Sequence, residues 1–220
     1  KKKKALIKTF RNKNVVVTGH TGFKGSWLVA WLHLLGANIM GISLDPTSRP
    51  SHFESLKISK KIIDVRLNLL NLKQLKKKIS NFKPDFVFHL AAQPLVRDSY
   101  IDPLKTYETN ILGTANLLES LRYCKSVKAI VIVTTDKCYL NKEWERGYVE
   151  NDELGGHDPY SNSKACCELV TQSYRESFFK ENEIGVATAR AGNVIGGGDW
   201  SKDRLIPDVV ENIASKKDIE

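Results

Sequence analysis

Short apolar segments of strand length alternate along this chain with longer segments that have a helical pattern of apolar residues. The strand-like segments are 15–18, 38–44, 61–65, 85–90, 129–134 and 185–189. The helical segments are 24–35, 72–81, 103–123, 159–182 and one that begins near Leu205. Helices placed between successive apolar strands are typical of a parallel sheet covered on both faces. The sequence therefore predicts an α/β fold built on a Rossmann-like, doubly wound parallel sheet.

The positive charge of the chain is concentrated at its N-terminus. The 220 residues carry a net charge of +9, and residues 1–13 hold seven of the 34 basic residues and no acidic one. The rest of the chain has 27 basic residues against 25 acidic ones, with no basic stripe interleaved with aromatic residues. We therefore expect a solvated or disordered basic tail and no binding of nucleic acid.

The cysteines, histidines and apolar runs exclude several other classes of protein. The four cysteines have no C-x-x-C spacing and the five histidines are scattered, which favours neither a zinc site nor a disulfide framework. The longest apolar stretch, 27–35, is interrupted by His33 and is too short to span a bilayer. The N-terminus lacks the apolar run of a signal peptide. We expect reduced thiols, a cytoplasmic location, no bound metal and no membrane partner.

A glycine-rich turn separates the first strand from the helix that follows it. Its glycines recur every third residue, at positions 19, 22 and 25. Such a turn leaves backbone N–H groups and the positive end of the helix free to face a pyrophosphate. The expected cofactor contacts in this turn are Gly19, Thr21, Gly22, Phe23 and Gly25.

Two carboxylates at strand ends are candidate contacts for the adenosine part of a dinucleotide. Asp45 ends the second strand 20 residues after Gly25, where a carboxylate can accept hydrogen bonds from a ribose and favours NAD over NADP. Two alternatives stay open: Asp45 also begins a turn before Pro46, and the nearby Arg49 suits a 2′-phosphate. Asp64, at the end of the third strand, is placed to contact the adenine amino group. Residues 46–54 have the composition of a loop.

The last long helix carries a tyrosine and a lysine four residues apart, Tyr160 and Lys164. Residues at i and i+4 share a helix face, so the ammonium can stabilise a phenolate and lower the phenol pKa from about 10. A tyrosine with a lowered pKa is a usable general base. An exposed pair without a role is the alternative, but the glycine turn and the strand ending in Thr134–Lys137 favour a nicotinamide enzyme.

Several motifs together resemble those of the extended short-chain dehydrogenases/reductases that act on nucleotide sugars. They are G-x-x-G-x-x-G at 19–25, HLAAQ at 89–93, NILGTAN at 110–116, TTDKCY at 134–139, Y-x-x-x-K at 160–164 and RAGNVIGGGDW at 190–200. Within that superfamily, GHTGFKGSWL, GGGDW and the runs 155–160 and 203–208 resemble the CDP-glucose 4,6-dehydratases most. Relatives that act on dTDP-glucose carry Thr-Asp-Glu where this chain has Thr135-Asp136-Lys137. The resemblance covers nearly the whole chain after Asn14.

The resemblance implies NAD as the cofactor and a sugar nucleotide, most closely CDP-glucose, as the substrate. Further cofactor contacts are expected from Ala91, Ala92, Gln93, Asn110, Tyr160 and Lys164. Substrate phosphates are expected at Arg190, Asn193 and Arg204. For the two arginines the alternatives are that Arg190 braces the sheet edge and that Arg204 pairs with a carboxylate on its own helix. His89 is expected to be a buried histidine with satisfied hydrogen bonds.

The resemblance also implies roles for five side chains. Tyr160, activated by Lys164, takes the proton from the sugar 4-hydroxyl, which Thr135 hydrogen-bonds, while the C4 hydride passes to NAD+. Lys137 then removes the C5 proton, Asp136 assists departure of the 6-hydroxyl as water, and the hydride returns to C6. A lysine base must be neutral, which requires desolvation or a like charge such as Lys164.

The predicted organisation is a basic tail at 1–13, an NAD-binding domain with the catalytic residues at 14–190, and the start of a substrate-binding lobe at 191–220. Most of that lobe is expected to lie beyond Glu220. By resemblance the helix at 103–123 pairs with a second copy in a homo-oligomer, although its leucines 112, 117, 118 and 121 suit ordinary core packing equally. Two other functions stay open. An epimerase or reductase would need no Asp136–Lys137 pair, and a binding module would hold NAD without catalysis.

Overall fold

The centre of the molecule is a six-stranded, entirely parallel sheet with the strand order β3-β2-β1-β4-β5-β6. A computed structural model describes residues 2–218 of the chain. The strands are β1 (Asn14–Thr18), β2 (Asn38–Ser43), β3 (Ile63–Arg66), β4 (Phe86–His89), β5 (Ala129–Thr135) and β6 (Gly185–Ala191). The doubly wound sheet predicted from the sequence is confirmed, and each strand lies within about two residues of its predicted bounds.

Helices cover both faces of the sheet and connect its strands. They are α1 (Lys2–Phe10), α2 (Phe23–Leu34), α3 (His52–Ser55), α4 (Leu72–Phe82), α5 (Val96–Ile101), α6 (Pro103–Tyr107), α7 (Gly113–Leu121), α8 (Pro159–Tyr174) and α9 (Leu205–Ala214). A π-helical turn, Glu108–Leu112, joins α6 to α7, and a second, Arg175–Phe179, extends α8. The long helices predicted at 103–123 and 159–182 therefore exist, each with a π-helical interruption.

Strand β1 shows why the strands are continuously apolar. Val15, Val16 and Val17 are all fully buried, although successive side chains point to opposite faces. Val16 belongs to the core that also contains buried leucines of α4 and α7, whereas Val15 and Val17 pack with residues of α2. A strand covered on both faces has no polar side. Three of the four leucines considered for a dimer contact, at 117, 118 and 121, lie in this core, while Leu112 is 49% exposed.

Helices form in two segments for which the sequence predicts none. The basic N-terminal segment forms the helix α1 from Lys2 onward, and the Phe10 ring at its end packs edge-on against Phe86, with 5.3 Å between ring centroids. The predicted loop at 46–54 contains α3, whose N-cap Ser51 accepts a hydrogen bond from the Glu54 N–H at 3.2 Å. A partly buried aromatic ring in the first case and a capping hydroxyl in the second stabilise a helix where the composition favours a loop.

The described part of the chain includes nearly all of the predicted segments. Residue 1 of the predicted tail and residues 219–220 of the predicted lobe lie outside it. Across 2–218, no helix has both the length and the apolar character that crossing a membrane requires. All six strands run in one direction, so their carboxyl ends meet at one edge of the sheet, which is where ligands bind in open α/β folds.

Candidate active site

A large cavity opens at the carboxyl edge of the sheet, with a volume of about 1640 Å³. Cavities that hold one drug-sized ligand measure about 300–1,000 Å³, so this open cavity is larger than one such ligand needs. It collects most of the residues predicted for the site. Those that line it are Gly19, Thr21, Gly22, Phe23, Gly25, Asp45, Ala91, Ala92, Thr135, Lys137, Tyr160, Asn193 and Arg204.

The glycine turn at 19–25 forms the wall of the cavity between β1 and α2. Gly19 has a φ of +72°, and a Cβ there would lie 2.6 Å from the Ala91 nitrogen. A Cβ at Gly25 would collide with the Gly19 carbonyl oxygen, whereas one at Gly22 would meet only that oxygen, at 3.4 Å. Gly22 caps α2 without a side-chain hydrogen bond, and the first turn holds no acidic residue. The turn therefore presents free N–H groups and open space to an anion.

The two carboxylates predicted to contact adenosine have different surroundings. Asp45 borders the cavity with its side chain 87% exposed, and its Oδ1 lies 3.5 Å from Arg66 Nε. Arg49 borders the cavity as well, so both alternatives for this corner remain. Asp64 does not line the cavity: its Oδ1 lies 2.8 Å from His20 Nε2, and its Oδ2 accepts from Arg66 Nη2 at 2.9 Å. Asp64 therefore braces the glycine turn and β3, and its contact with the adenine amino group stays a prediction.

The capped start of α8 fixes the position of the Tyr160–Lys164 pair. Asp158 accepts a hydrogen bond from the Ser161 N–H and donates its own N–H to the Ser161 hydroxyl, a complete capping box. Tyr160 therefore lies in the first turn and borders the cavity. Lys164 lies one turn later, is 7% exposed, and donates from Nζ to the Val133 carbonyl oxygen at 3.3 Å. The lysine is held beneath the cavity and does not line it.

The protein alone does not lower the pKa of Tyr160. Burial raises the pKa of this phenol, and the nearby Thr135 hydroxyl and Arg204 only partly oppose the rise. Burial also lowers the pKa of Lys164, whose ammonium is directed to the Val133 carbonyl. The predicted lowering by Lys164 is therefore not present without a ligand. General-base chemistry at Tyr160 requires a further positive charge or hydrogen bond when the site is filled.

Thr135, Asp136 and Lys137 lie where β5 ends in a short 3-10 turn. The Thr135 hydroxyl donates to Asp136 Oδ1 at 3.0 Å and accepts from the Lys137 N–H at 3.3 Å. Lys137 lines the cavity, but Asp136 does not, and both residues are exposed.

Two of the residues predicted to contact the cofactor direct their side chains toward the protein interior. Asn110 is 1% exposed, accepts from the Gln93 N–H at 2.8 Å and donates to the Ser163 hydroxyl at 2.8 Å. The Gln93 side chain donates to the Thr106 hydroxyl at 2.9 Å. Neither residue lines the cavity. Both residues fasten the loop after β4 to α8 and so position Ala91 and Ala92 at the cavity wall, and their direct contact with the cofactor stays a prediction.

Arg190 is held by contacts within the protein. Its Nη2 donates to Glu168 Oε2 at 3.0 Å, its Nη1 donates to the Glu150 carbonyl at 3.0 Å, and its guanidinium lies 4.8 Å from the centroid of the Tyr139 ring. The hydrogen bond with Glu168 raises the pKa of Arg190. Arg190 does not line the cavity. The geometry favours the alternative considered above, a brace at the sheet edge, and a phosphate contact of Arg190 stays a prediction.

A contact that the sequence did not predict holds the glycine-rich segment after β6 against α2. Trp27 Nε1 donates to the Gly197 carbonyl at 2.9 Å, and its ring stacks on His52 with 4.5 Å between centroids. His52 Nδ1 lies 2.8 Å from the Ser26 hydroxyl, and Gly198, with a φ of +85°, leaves no room for a Cβ beside the histidine ring. Trp27 and Gly197 are 170 residues apart, and no local pattern links them.

Comparisons with known proteins agree with this fold and cavity. The family model of the GDP-mannose 4,6-dehydratases matches residues 16–219. A CDP-glucose 4,6-dehydratase of Salmonella typhimurium is 48% identical over 96% of this chain, which spans 60% of that relative's length.

Solved structures show the same architecture. An epimerase of Methanothermobacter thermautotrophicus superimposes on this chain with a TM-score of 0.83 at 26% identity. The superposition covers 96% of this chain and 61% of the epimerase chain. MoeE5 in complex with UDP-glucose and NAD superimposes with a TM-score of 0.74 at 26% identity. This superposition covers 90% of this chain and 60% of the MoeE5 chain. The match of the family model to nearly the whole chain shows that this protein belongs to the GDP-mannose 4,6-dehydratase family.

Proposed function

We propose that this protein is an NAD-dependent lyase, a nucleotide-sugar 4,6-dehydratase that converts CDP-glucose to CDP-4-keto-6-deoxyglucose and water. The observation that carries the proposal is that one cavity brings together the glycine turn, Thr135, Lys137 and Tyr160. The 48% identity to a CDP-glucose 4,6-dehydratase favours this reaction and this nucleotide over other members of the family. The chain spans 60% of that relative, so the reaction is proposed for the whole protein.

The residues of the glycine turn fit a dinucleotide. A Cβ at Gly22 would occupy open space beside the cavity, next to the uncapped N-terminus of α2, and this space suits a pyrophosphate. Asp45 stands exposed at the end of β2 for the adenosine ribose hydroxyls. The MoeE5 structure, which has the same fold, contains NAD with UDP-glucose. When bound, NAD accepts a hydride from C4 of the sugar and returns it to C6.

The side chains around Tyr160 would carry out the first proton transfer. Tyr160 takes the proton of the sugar 4-hydroxyl, and the Thr135 hydroxyl orients that hydroxyl by a hydrogen bond. Lys164 holds the first turns of α8 against β5 through the Val133 carbonyl. Because burial raises the pKa of Tyr160, the proton transfer depends on charge that the filled site brings close to the phenol.

Elimination of water would use the end of β5. Lys137 faces the cavity and removes the proton at C5, which the C4 ketone has made acidic. Asp136, joined to the Thr135 hydroxyl at 3.0 Å, donates a proton to the departing 6-hydroxyl. Both side chains are exposed in residues 2–218. The bound sugar must therefore cover Lys137 and supply the desolvation that a neutral lysine requires.

The same proposal extends to organisation and location. Residues 14–190 form the cofactor domain, and residues 191–220 begin the substrate lobe. A second copy packs against the exposed apolar side chains Ile101, Leu104 and Leu112, which lie on consecutive helical segments. The four free cysteines suit the reducing cytoplasm. There the product would enter deoxysugar synthesis, including that of O-antigens.

Mass spectrometry of the full-length protein with NAD+ and five sugar nucleotides tests the proposal. The substrates are CDP-glucose, dTDP-glucose, UDP-glucose, GDP-glucose and GDP-mannose. Loss of one water from CDP-glucose alone is the expected result. Loss of water from another substrate would keep the reaction and correct the nucleotide. Unchanged mass throughout, with NAD bound, would instead favour an epimerase or a binding module.

A further inference from the structure

Two cations border the cavity without partners of their own. Lys24 is the second residue of α2, directly after the glycine turn, and Arg204 is the N-cap of α9 on the segment that follows β6. Both line the cavity and both are half-buried. Within residues 2–218 neither side chain has a hydrogen-bond or ion-pair partner. By contrast, Arg66 and Arg190, at the same edge of the sheet, are occupied by carboxylates.

The positive charge of Arg204 disfavours a second positive charge at Lys24. Burial lowers the pKa of Lys24, and the charges of Lys164 and Arg204 lower it further. The acidic neighbour of Arg204 in sequence, Asp203, is directed away to Arg97 Nη1 at 2.7 Å. A desolvated cation without a counter-ion is costly, and the cost is relieved when an anion binds.

The chemistry of that anion follows from the two side chains. A guanidinium binds two phosphate oxygens at once, and an ammonium acts as a point charge beside them. Two cations that line one cavity suit a ligand with two adjacent phosphates. Backbone N–H groups in the first turn of α2, after Gly22, already provide one anion site in the cavity, so the paired cations provide a second.

We propose that Lys24 and Arg204 together bind a diphosphate, with Lys24 as a binding residue on the cofactor side of the cavity. The inference rests on the proposed function, which supplies two diphosphate esters, the sugar nucleotide and the dinucleotide. Lys24 is adjacent in sequence to the glycine turn, but its charged neighbours are Lys164 beneath the site and Arg204 on the substrate side. Either ester presents the same chemistry, and the experiment distinguishes them.

Calorimetric titration of the full-length protein with CDP, CMP and ADP-ribose tests the site without turnover. Lys24→Met removes the charge and keeps the length of the side chain. It should weaken binding of one diphosphate by about tenfold to a hundredfold, the effect of one charged hydrogen bond. If the affinity falls for CDP and is unchanged for CMP and ADP-ribose, the site binds the sugar nucleotide. Loss confined to ADP-ribose assigns it to the dinucleotide.

Two further variants make the test decisive. Lys73→Met, on the exposed face of α4, is the matched control and should leave all three dissociation constants unchanged. Arg204→Met should weaken binding of the same diphosphate as Lys24→Met. The fold-increase in the dissociation constant for the double variant should be smaller than the product of the two single fold-increases. The inference is overturned if a folded Lys24→Met protein binds both diphosphates as tightly as the wild type. It is also overturned if Lys24→Met weakens binding of one diphosphate and Arg204→Met weakens binding of the other. If wild-type protein does not bind CDP, the nucleotide assignment fails separately, and UDP, GDP or dTDP replaces CDP in the same comparison.

Discussion

Replacing Glu168 with glutamine should strongly destabilise the sheet edge that carries the catalytic turn. Glu168 is 5% exposed and accepts hydrogen bonds from the hydroxyls of Thr134 and Thr188 and from Arg190. The Arg190 side chain is only 16% exposed. The variant leaves that guanidinium buried without a counter-charge, and removal of one member of a buried ion pair costs about 3–5 kcal/mol. Because a glutamine oxygen still accepts part of these hydrogen bonds, we expect the free energy of unfolding to fall by about 3 kcal/mol.

The assay is chemical unfolding followed by tryptophan fluorescence. Glu176→Gln is the matched control, because Glu176 forms an exposed i,i+4 pair with Lys180 at 3.2 Å and such pairs contribute about 0.3–0.5 kcal/mol. A double-mutant cycle with Arg190→Gln should show a coupling energy of about 1 kcal/mol or more. The reasoning would be refuted if Glu168→Gln lowered the free energy of unfolding by no more than Glu176→Gln does.

The same pair gives a pH dependence with a defined sign. Burial by itself would raise the pKa of Glu168, but the hydrogen bonds from Arg190, Thr134 and Thr188 lower it below its usual 4.5. A lowered folded-state pKa stabilises the fold above the unfolded pKa, and this contribution is lost as the pH falls through the folded value. The stability of wild-type protein should therefore fall below about pH 4.5. Glu168→Gln should flatten that part of the curve.

Three further outcomes are expected. Gly25→Ala should prevent stable folding because its Cβ would collide with the Gly19 carbonyl, whereas Gly22→Ala should fold and lose dinucleotide affinity in a titration with NAD+. His89 is buried between two threonine hydroxyls as predicted, and burial lowers its pKa to about 3. Wild-type stability should fall as the pH drops below 6.5, by roughly 2 kcal/mol from this residue by pH 5, and His89→Gln should remove that slope in unfolding curves. Lys137→Ala should retain oxidation at C4 but lose exchange of the C5 proton with deuterated solvent, and unchanged exchange would exclude Lys137 as the base.

The sequence predicted the parts of this structure that depend on local pattern. Strands such as β1 were predictable because burial on both faces leaves a continuous apolar run. The glycine turn was predictable because its spacing follows from the close approach of α2 to β1.

The contacts that the sequence did not predict involve partners that are distant along the chain. Asp64 and Arg190 have residue types that suit a ligand, but His20 and Glu168, which occupy them, lie 44 and 22 residues away in sequence. Lys24 was overlooked for the opposite reason, because its place beside Arg204 appears only when the segment after β6 folds back over the cavity. Site chemistry set by long-range contacts requires the folded chain.

The most direct test of the proposed function is the mass spectrum of the product formed from CDP-glucose and NAD+ in deuterated water. The proposed mechanism exchanges the C5 proton with solvent while hydride passes internally from C4 to C6. The product should be one water lighter than the substrate and carry one carbon-bound deuterium, at C5. A product that has lost water without gaining deuterium, or a sugar nucleotide of unchanged mass, would contradict the account.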